Sequence, residues 1–121
     1  MKKLLVMDDD PLIRSMLKMK LEDEGYEVEE ASNGKEGILC YKNNRPDVVI
    51  IDLLMPEKEG VETIQELKEY SPEVKLIAIS GGGRISADIC LAMAKNLGAA
   101  FTFTKPVDNE KLIQAVKELT K

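Results

Sequence analysis

The chain of 121 residues has no histidine, no tryptophan and only two cysteines, Cys40 and Cys90. Without histidine, a Ser-His triad and a phosphohistidine are excluded. Two distant cysteines without a CxxC pair do not form the pattern of a zinc site or of a disulfide framework. Any chemistry must therefore come from carboxylates, lysine, hydroxyl groups and the backbone.

The chain also lacks a surplus of basic residues, since 17 Lys and Arg stand against 22 Asp and Glu, a formal net charge of −5. With no excess positive charge to neutralise a phosphate backbone, we do not expect this chain to bind nucleic acid directly. No apolar run approaches the ~20 residues of a membrane span, and the start MKKLLVMDDD turns acidic too early for a signal peptide. We therefore expect a cytoplasmic protein without membrane contact.

Short apolar runs alternate five times with longer amphipathic segments. The predicted strands cover residues 3–7, 26–31, 47–52, 75–80 and 100–104. A predicted helix follows each strand. The first three helices begin at Pro11, near residue 35 and near Val61, and the last two contain Ile85 to Leu97 and Leu112 to Leu119. The run VVII has no helical period and indicates a strand covered on both faces. Five such units predict one α/β domain with a parallel sheet between two layers of helices.

Chemically useful residues stand at the ends of four of these five strands. Asp8 and Asp9 follow the first strand, Asp52 ends the third, Ser80 ends the fourth and Lys105 follows the fifth. Ligands bind beyond the carboxyl ends of parallel strands, at the point where the strand order reverses. We therefore expect these groups to meet at one edge of the sheet.

Three carboxylates at one edge repel one another unless a cation neutralises them. Oxygen ligands favour a hard ion, so the pattern predicts Mg²⁺, with Mn²⁺ as a substitute. Lys105 adds a second positive charge, and a carboxylate between Mg²⁺ and an ammonium group suits phosphoryl transfer. The Ser80 hydroxyl could then bond to a phosphoryl oxygen, and the glycines from Gly81 onward would let the loop approach.

Each residue taken alone also has a structural interpretation. The run Asp8-Asp9-Asp10 could cap the following helix, and for Asp10, next to Pro11, capping is the preferred interpretation. Ser80 alone would be a turn residue, and Lys105 alone a solvated lysine. The joint placement at successive strand ends favours the functional interpretation.

Four segments together resemble a response-regulator receiver domain of two-component signalling: LLVMDDDPLIR (4–14), VVIIDLLMPEKEG (48–60), LIAIS (76–80) and LGAAFTFTKP (97–106). The match runs from Lys3 to about Leu119. It implies a doubly wound (βα)5 flavodoxin-like sandwich with a central parallel five-stranded sheet of order 2-1-3-4-5. It also implies a receiver domain over residues 1–121 with no output domain in this chain, either stand-alone or trimmed from a larger regulator.

The resemblance assigns a role to each site residue. It implies that Asp52 is the phosphoacceptor and that Asp8, Asp9, Asp52 and the backbone carbonyl of Leu54 bind Mg²⁺. It also implies that Ser80, Gly81 and Lys105 contact the phosphoryl group and take part in the switch. The Lys105-Pro106 peptide is expected to be cis.

From the resemblance we expect a phosphorelay protein. A sensor histidine kinase or histidine phosphotransfer protein would donate the phosphoryl group to Asp52. The domain would catalyse its own phosphorylation and dephosphorylation rather than turn over as an enzyme. The surface of the fourth helix, fifth strand and fifth helix would then change and control a downstream protein target, or pair two copies.

Two departures from the family bear on that switch. Thr102, between Phe101 and Phe103, stands where an aromatic residue is usual, and Val107 replaces a phenylalanine. Neither removes a residue that phosphorylation requires, so we expect intact chemistry and an unusual output.

Two other functions remain open from the sequence. One is a protein-interaction module of receiver fold that works without phosphorylation, and Thr102 favours it. The other is an aspartate-nucleophile phosphohydrolase, because Asp8-x-Asp10 after a first strand resembles a DxD signature. It would place the nucleophile at Asp8, although the chain is too short for a substrate cap.

Overall fold

The computed structural model describes residues 1–53, 60–81 and 85–121, and for residues 85–90 it describes the backbone only. The strands are β1 Lys3–Met7, β2 Glu27–Ala31, β3 Val48–Asp52, β4 Leu76–Gly81 and β5 Phe101–Lys105. The helices are α1 Pro11–Asp23, α2 Gly34–Asn44, α3 Gly60–Tyr70, α4 Ile85–Asn96 and α5 Asn109–Leu119. The predicted alternation is confirmed, and every predicted strand lies within one residue of the observed one.

All five strands are parallel and form one sheet in the order β2-β1-β3-β4-β5. This confirms the doubly wound α/β fold that the resemblance implies. The chain moves from β1 outward to β2 and then crosses back to β3 on the other side of β1. The strand order therefore reverses between β1 and β3, and a ligand site is expected beyond their carboxyl ends.

The core has two halves because successive strand residues point to opposite faces of the sheet. Val49 and Ile51 pack with one set of helices, and Val48 and Ile50 with the other. All of β3 is buried, which agrees with the prediction that this strand is covered on both faces. This double cover fixes where Asp52, at its end, must lie.

The start of α1 is defined by Asp10, whose Oδ1 accepts a hydrogen bond of 2.9 Å from the Leu12 N–H. Pro11 occupies the first helical position, where a missing N–H costs nothing. The capping interpretation of Asp10 agrees with this geometry. Asp10 is thus occupied with the helix terminus.

The apolar residues of α1 do not all face the core. Leu17 and Leu21 are buried, whereas Leu12 is 67%, Met16 53% and Met19 67% exposed. These three residues are spaced four and three apart and share one side of the helix, which we call the α1 stripe. The sequence spacing alone did not separate the stripe from the core face. None of the described helices combines the length and hydropathy needed to cross a membrane.

Candidate functional site

The acidic group lies where the strand order reverses. Asp8 directly follows β1, Asp52 ends β3, and the register pairs Met7 with Ile51 just before them. Asp8 and Asp52 are buried and Asp9 is exposed, yet one oxygen of each lies within 4.8 Å of the others. The structure thus brings the three predicted carboxylates together.

Lys105 reaches this group from two strands away. Its ammonium donates hydrogen bonds to Asp52 Oδ2 at 3.0 Å and to Asp8 Oδ2 at 3.3 Å. The Lys105 backbone lies opposite Gly81 at the end of β4, so the side chain extends across that strand end. One cation therefore holds two carboxylates from different strands.

The surroundings of Asp8 shift its protonation strongly. Burial disfavours the charged form and, helped by the negative charge of Asp52, raises the pKa of Asp8 from 3.8 to about 6. The Asp10 N–H, which donates to Asp8 Oδ1 at 2.9 Å, and the Lys105 charge act in the opposite direction. Burial acts to lower the pKa of Lys105, but its hydrogen bond to Asp52 and the charges of Asp52 and Asp8 together raise it.

The backbone around Asp8 is also held from outside β1. The Arg14 guanidinium donates to the Asp8 carbonyl at 2.7 Å, and the Asp8 N–H donates to the Ala31 carbonyl at 3.1 Å. Sequence reasoning missed Arg14. A residue six positions along, inside a helix, gives no signal that its side chain folds back onto the strand end.

The remaining predicted residues take different positions. Ser80 is fully buried, and its hydroxyl has no hydrogen-bond partner among the described residues. Gly81 is half-buried at the end of β4, and the Lys105-Pro106 peptide is cis. The predicted backbone ligand Leu54 lies outside the described residues.

Thr102 and the two neighbouring phenylalanines lie on opposite faces of β5. Phe101 and Phe103 pack against the core half that contains α1 and α5. Thr102 is half-buried on the other face, opposite Ala78 on β4. The aromatic rings beside position 102 therefore cannot substitute for an aromatic side chain at that position without a rearrangement of the strand.

An apolar cleft opens beside the acidic group, between α1 and the segment that leads into α5. Its volume is about 460 Å³. It is lined by Asp8, Ile13, Met16, Leu17, Ile79, Lys105, Pro106, Val107 and Asn109. We call it the α1 cleft. The sequence did not predict it, because it forms from three segments distant in the chain.

The donor set fits a divalent cation. Three carboxylates carry up to three negative charges, and in the described part of the chain Lys105 is the ammonium hydrogen-bonded to two of them, Asp8 and Asp52. The remaining excess of negative charge and the exclusive use of oxygen are what Mg²⁺ requires. The fold and this edge together define an α/β domain with a cluster of three carboxylates at its switch point.

Comparisons with known proteins agree with that class. The family model described as "Response regulator receiver domain" matches residues 4–117. The chain is 35% identical to the chemotaxis protein CheY of Thermotoga maritima over 99% of this chain and 98% of that protein. It is 30% identical to sporulation initiation phosphotransferase F of Bacillus subtilis, over 96% of this chain and 91% of that protein.

A solved structure has the same fold over nearly the whole chain. The response regulator receiver domain protein from Clostridium thermocellum superposes with a TM-score of 0.90 at 32% identity, covering 98% of this chain and 94% of that one. The chain belongs to the response-regulator receiver family of two-component signalling.

Proposed function

We propose that Asp52 accepts a phosphoryl group in a Mg²⁺-dependent reaction, with a sensor histidine kinase or a histidine phosphotransfer protein as donor. One observation carries this proposal. Asp52 lies at the switch point between two further carboxylates within 4.8 Å and an ammonium group at 3.0 Å. With Mg²⁺ held by the carboxylates, this arrangement would place positive charge on either side of a carboxylate nucleophile, which is the main requirement of phosphoryl transfer.

Each side chain of the site then has a defined task. Asp8, Asp9 and the Leu54 carbonyl would hold the ion, which supplies charge neutralisation at the phosphoryl oxygens. An Asp52 oxygen forms a bond to phosphorus while the bond from phosphorus to the donor imidazole nitrogen breaks, and that nitrogen takes a proton from solvent. Lys105 exchanges its contact with Asp52 for one with a phosphoryl oxygen, and the buried Ser80 hydroxyl donates to another.

The same groups would also promote removal of the phosphoryl group by hydrolysis. Water attacks the phosphorus of the acyl phosphate, phosphate leaves, and the Asp52 carboxylate is restored. The domain would thus be a phosphoacceptor that catalyses its own phosphorylation and dephosphorylation rather than a turnover enzyme. The changed contacts of Ser80 and Lys105, at the ends of β4 and β5, would alter the surface of α4, β5 and α5 toward a downstream protein.

The surface beside the site is suited to a protein donor. The α1 stripe exposes Leu12, Met16 and Met19, and Met16 also lines the α1 cleft next to Lys105. Exposed apolar residues grouped in this way are typical of a protein contact. The helix also carries Arg14, Lys18 and Lys20 and no acidic residue before Glu22, and Glu30 of β2 forms ion pairs with Arg14 and Lys18.

An interaction module that works without phosphorylation is the second candidate. The observation that favours it is the small, half-buried Thr102 opposite Ala78, which leaves no large side chain there to move with Ser80. The phosphohydrolase hypothesis gains no support. Asp10, the second aspartate of its DxD pattern, is engaged in capping α1.

The acceptor is tested by incubating the protein with Mg²⁺ and a small acyl phosphate and recording intact mass. We expect a gain of one phosphoryl group in the wild type and none in Asp52→Asn. Asp47→Asn is the matched control, because Asp47 lies just before the same strand, at its far end, and binds the Lys3 N–H. Full labelling of Asp52→Asn would overturn the assignment, and unlabelled wild type with Mg²⁺ bound would favour the interaction module.

The metal ligands are tested by titrating Mg²⁺ in a calorimeter. We expect Asp9→Asn to weaken binding by at least tenfold, because a charged oxygen is lost from the site. The neighbouring Asp10→Asn keeps an oxygen for the α1 cap and is expected to bind Mg²⁺ as the wild type does. Equal effects of both substitutions would contradict the assignment of Asp9.

A further inference from the structure

Both backbone groups of Asp8 are held by other elements of the fold. The Asp8 N–H donates to the Ala31 carbonyl of β2 at 3.1 Å, and the Asp8 carbonyl accepts a hydrogen bond of 2.7 Å from Arg14 Nη1 of α1. A hydrogen bond from a charged donor is shorter and stronger than one between neutral groups. The backbone of Asp8 is thus fixed to the neighbouring strand and to the following helix.

The guanidinium of Arg14 is itself held in place by Glu30. Glu30 Oε1 lies 3.5 Å from Arg14 Nε, and Glu30 Oε2 lies 3.8 Å from Lys18 Nζ. The Nε atom is buried and has this ion pair but no hydrogen bond among the described residues. Glu30 directly precedes Ala31 on β2. One strand end therefore holds Asp8 twice, through the Ala31 carbonyl and through Glu30 and Arg14.

The position of Asp9 depends on the Asp8 backbone. Asp9 is exposed, and no group in the described part of the chain donates a hydrogen bond to its carboxylate, yet one of its oxygens lies within 4.8 Å of those of Asp8 and Asp52. Because the peptide group that joins Asp8 to Asp9 is planar, the direction of the Asp8 carbonyl also fixes the direction in which the chain continues to Asp9.

We propose that Arg14 is a positioning residue of the cation site. By holding the Asp8 carbonyl, Arg14 sets the plane of the Asp8–Asp9 peptide and keeps the Asp9 carboxylate beside Asp8 and Asp52. Groups that orient metal ligands without touching the ion contribute to affinity in this way. The inference rests on the proposed function in one respect, namely that the acidic group binds Mg²⁺.

The charge of Arg14 acts in the direction opposite to its positioning role. A positive charge near the site repels a divalent cation, so removal of the charge alone would tighten Mg²⁺ binding. Loss of the hydrogen bond to the Asp8 carbonyl would release Asp9 and weaken Mg²⁺ binding. The sign of the change in affinity therefore distinguishes the two effects.

Calorimetric titration of Mg²⁺ measures that sign. We expect Arg14→Met to raise the Kd about tenfold, and Arg14→Lys, which keeps one donor, to raise it by only about threefold. Lys18→Met is the matched control, because Lys18 has the same charge, lies on the same helix and also faces Glu30. Its Kd should stay within about twofold of the wild type, because the charge of an exposed lysine is screened. A folded Arg14→Met that binds Mg²⁺ as tightly as the wild type, or more tightly, would overturn the proposal.

Glu30→Gln tests the same contact while leaving Arg14 in place. We expect this substitution to raise the Kd for Mg²⁺ about threefold in the wild type and to have no further effect in Arg14→Met, because Glu30 acts through Arg14. An equal effect in both backgrounds would mean that Glu30 acts by its own charge, which would contradict this chain of contacts.

Urea unfolding without Mg²⁺ shows how much stability each variant loses. A merely structural Arg14 would lower the free energy of unfolding and leave the Kd of the folded protein unchanged, which would also overturn the proposal. With the acyl phosphate as donor, the Mg²⁺ concentration that gives half-maximal labelling should rise in Arg14→Met by the same factor as the Kd. The labelling rate at saturating Mg²⁺ should fall by less than about twofold.

The outcomes for Arg14 and for Asp52 can be told apart. A labelling rate of Arg14→Met that stays low at saturating Mg²⁺ would contradict a role through the ion. A wild type that binds Mg²⁺ but is not labelled would overturn the role of Asp52, whereas the calorimetric difference between Arg14→Met and Lys18→Met would still support Arg14. A wild type that binds no Mg²⁺ would overturn both.

Discussion

The Lys105 ammonium lies 3.0 Å from Asp52 Oδ2 although the whole of β4 separates their strands. The same nitrogen lies 3.3 Å from Asp8 Oδ2. In the unphosphorylated state, the positive charge of Lys105 thus neutralises part of the negative charge that would attract a divalent cation. A lysine in this position both supports the acidic group and competes with the ion.

We therefore expect Lys105→Met to bind Mg²⁺ more tightly. Removing one positive charge a few ångströms from the ion lowers the repulsion between them, and an increase of about tenfold in affinity corresponds to about 1.4 kcal/mol. Calorimetric titration measures it, with Lys111→Met, an exposed residue of α5, as the control for a change of net charge. An unchanged or weaker affinity in Lys105→Met alone would contradict this account.

The raised pKa of Asp8 predicts how stability depends on pH in the absence of divalent ions. Folding raises this pKa from 3.8 to about 6, so the folded protein keeps a proton that the unfolded chain releases. The contribution of this proton to stability is full below the unfolded pKa and is lost as the pH rises through about 6. At pH 7 the buried carboxylate is charged and reduces the free energy of unfolding.

Asp8→Asn is therefore expected to be more stable than the wild type at pH 7, by on the order of 1–3 kcal/mol. Near pH 4 the gain should largely disappear, because the wild-type carboxyl is then neutral as well. Urea unfolding in the presence of a chelator measures both. A gain of equal size at the two pH values would show that the pKa of Asp8 is not its origin.

The sequence predicted the strands, and it predicted that Asp8, Asp9, Asp52 and Lys105 meet at one edge of the sheet. Both predictions have a physical reason. Apolar runs without a helical period mark strands covered on both faces, and parallel strands must end at the same edge of the sheet. The positions of Asp8, Asp52 and Lys105 follow from these two facts. They do not depend on the details of side-chain packing.

What the sequence could not predict depends on where elements stand relative to one another. The spacing of Leu12 and Met16 is that of an amphipathic helix, but exposure depends on how far α1 extends beyond its neighbours. The contact from Arg14 to the Asp8 carbonyl and the α1 cleft likewise arise between segments that are separate in the sequence. Periodicity gives the face of a helix and not what covers it.

Gly60 is expected to be essential for the position of Asp52. A Cβ at this residue would overlap Leu53 Cα and come within 2.8 Å of the Asp52 carbonyl oxygen, and neither backbone atom can move aside. Gly60→Ala should lower the free energy of unfolding by about 2 kcal/mol or more, although alanine favours the helix.

Gly81→Ala provides the matched control for Gly60→Ala. A Cβ at Gly81 meets no atom of the described residues within 4 Å, although this residue also borders the site. We expect a change within about 0.5 kcal/mol, measured by urea unfolding. Similar losses in both variants would mean that steric overlap at Gly60 is not the cause.

Ser71 and Ser80 are both buried, but their hydroxyl groups differ in hydrogen bonding. Ser71 Oγ accepts a hydrogen bond of 3.1 Å from the Tyr41 hydroxyl and donates one of 2.8 Å to Glu73 Oε1. Ser80 Oγ is equally buried and has no partner among the described residues. A buried hydroxyl without a partner costs free energy, whereas loss of a bonded one leaves its partner unsatisfied.

We therefore expect Ser80→Ala to raise the free energy of unfolding of the unphosphorylated protein by about 1 kcal/mol, and Ser71→Ala to lower it by about as much. Incubation with Mg²⁺ and the acyl phosphate should affect the three proteins differently. Wild type and Ser71→Ala should gain thermal stability on phosphorylation, while Ser80→Ala should gain less, because it cannot donate to the phosphoryl group. Thermal unfolding with and without the donor measures both effects, and an equal gain in all three proteins would remove Ser80 from the switch.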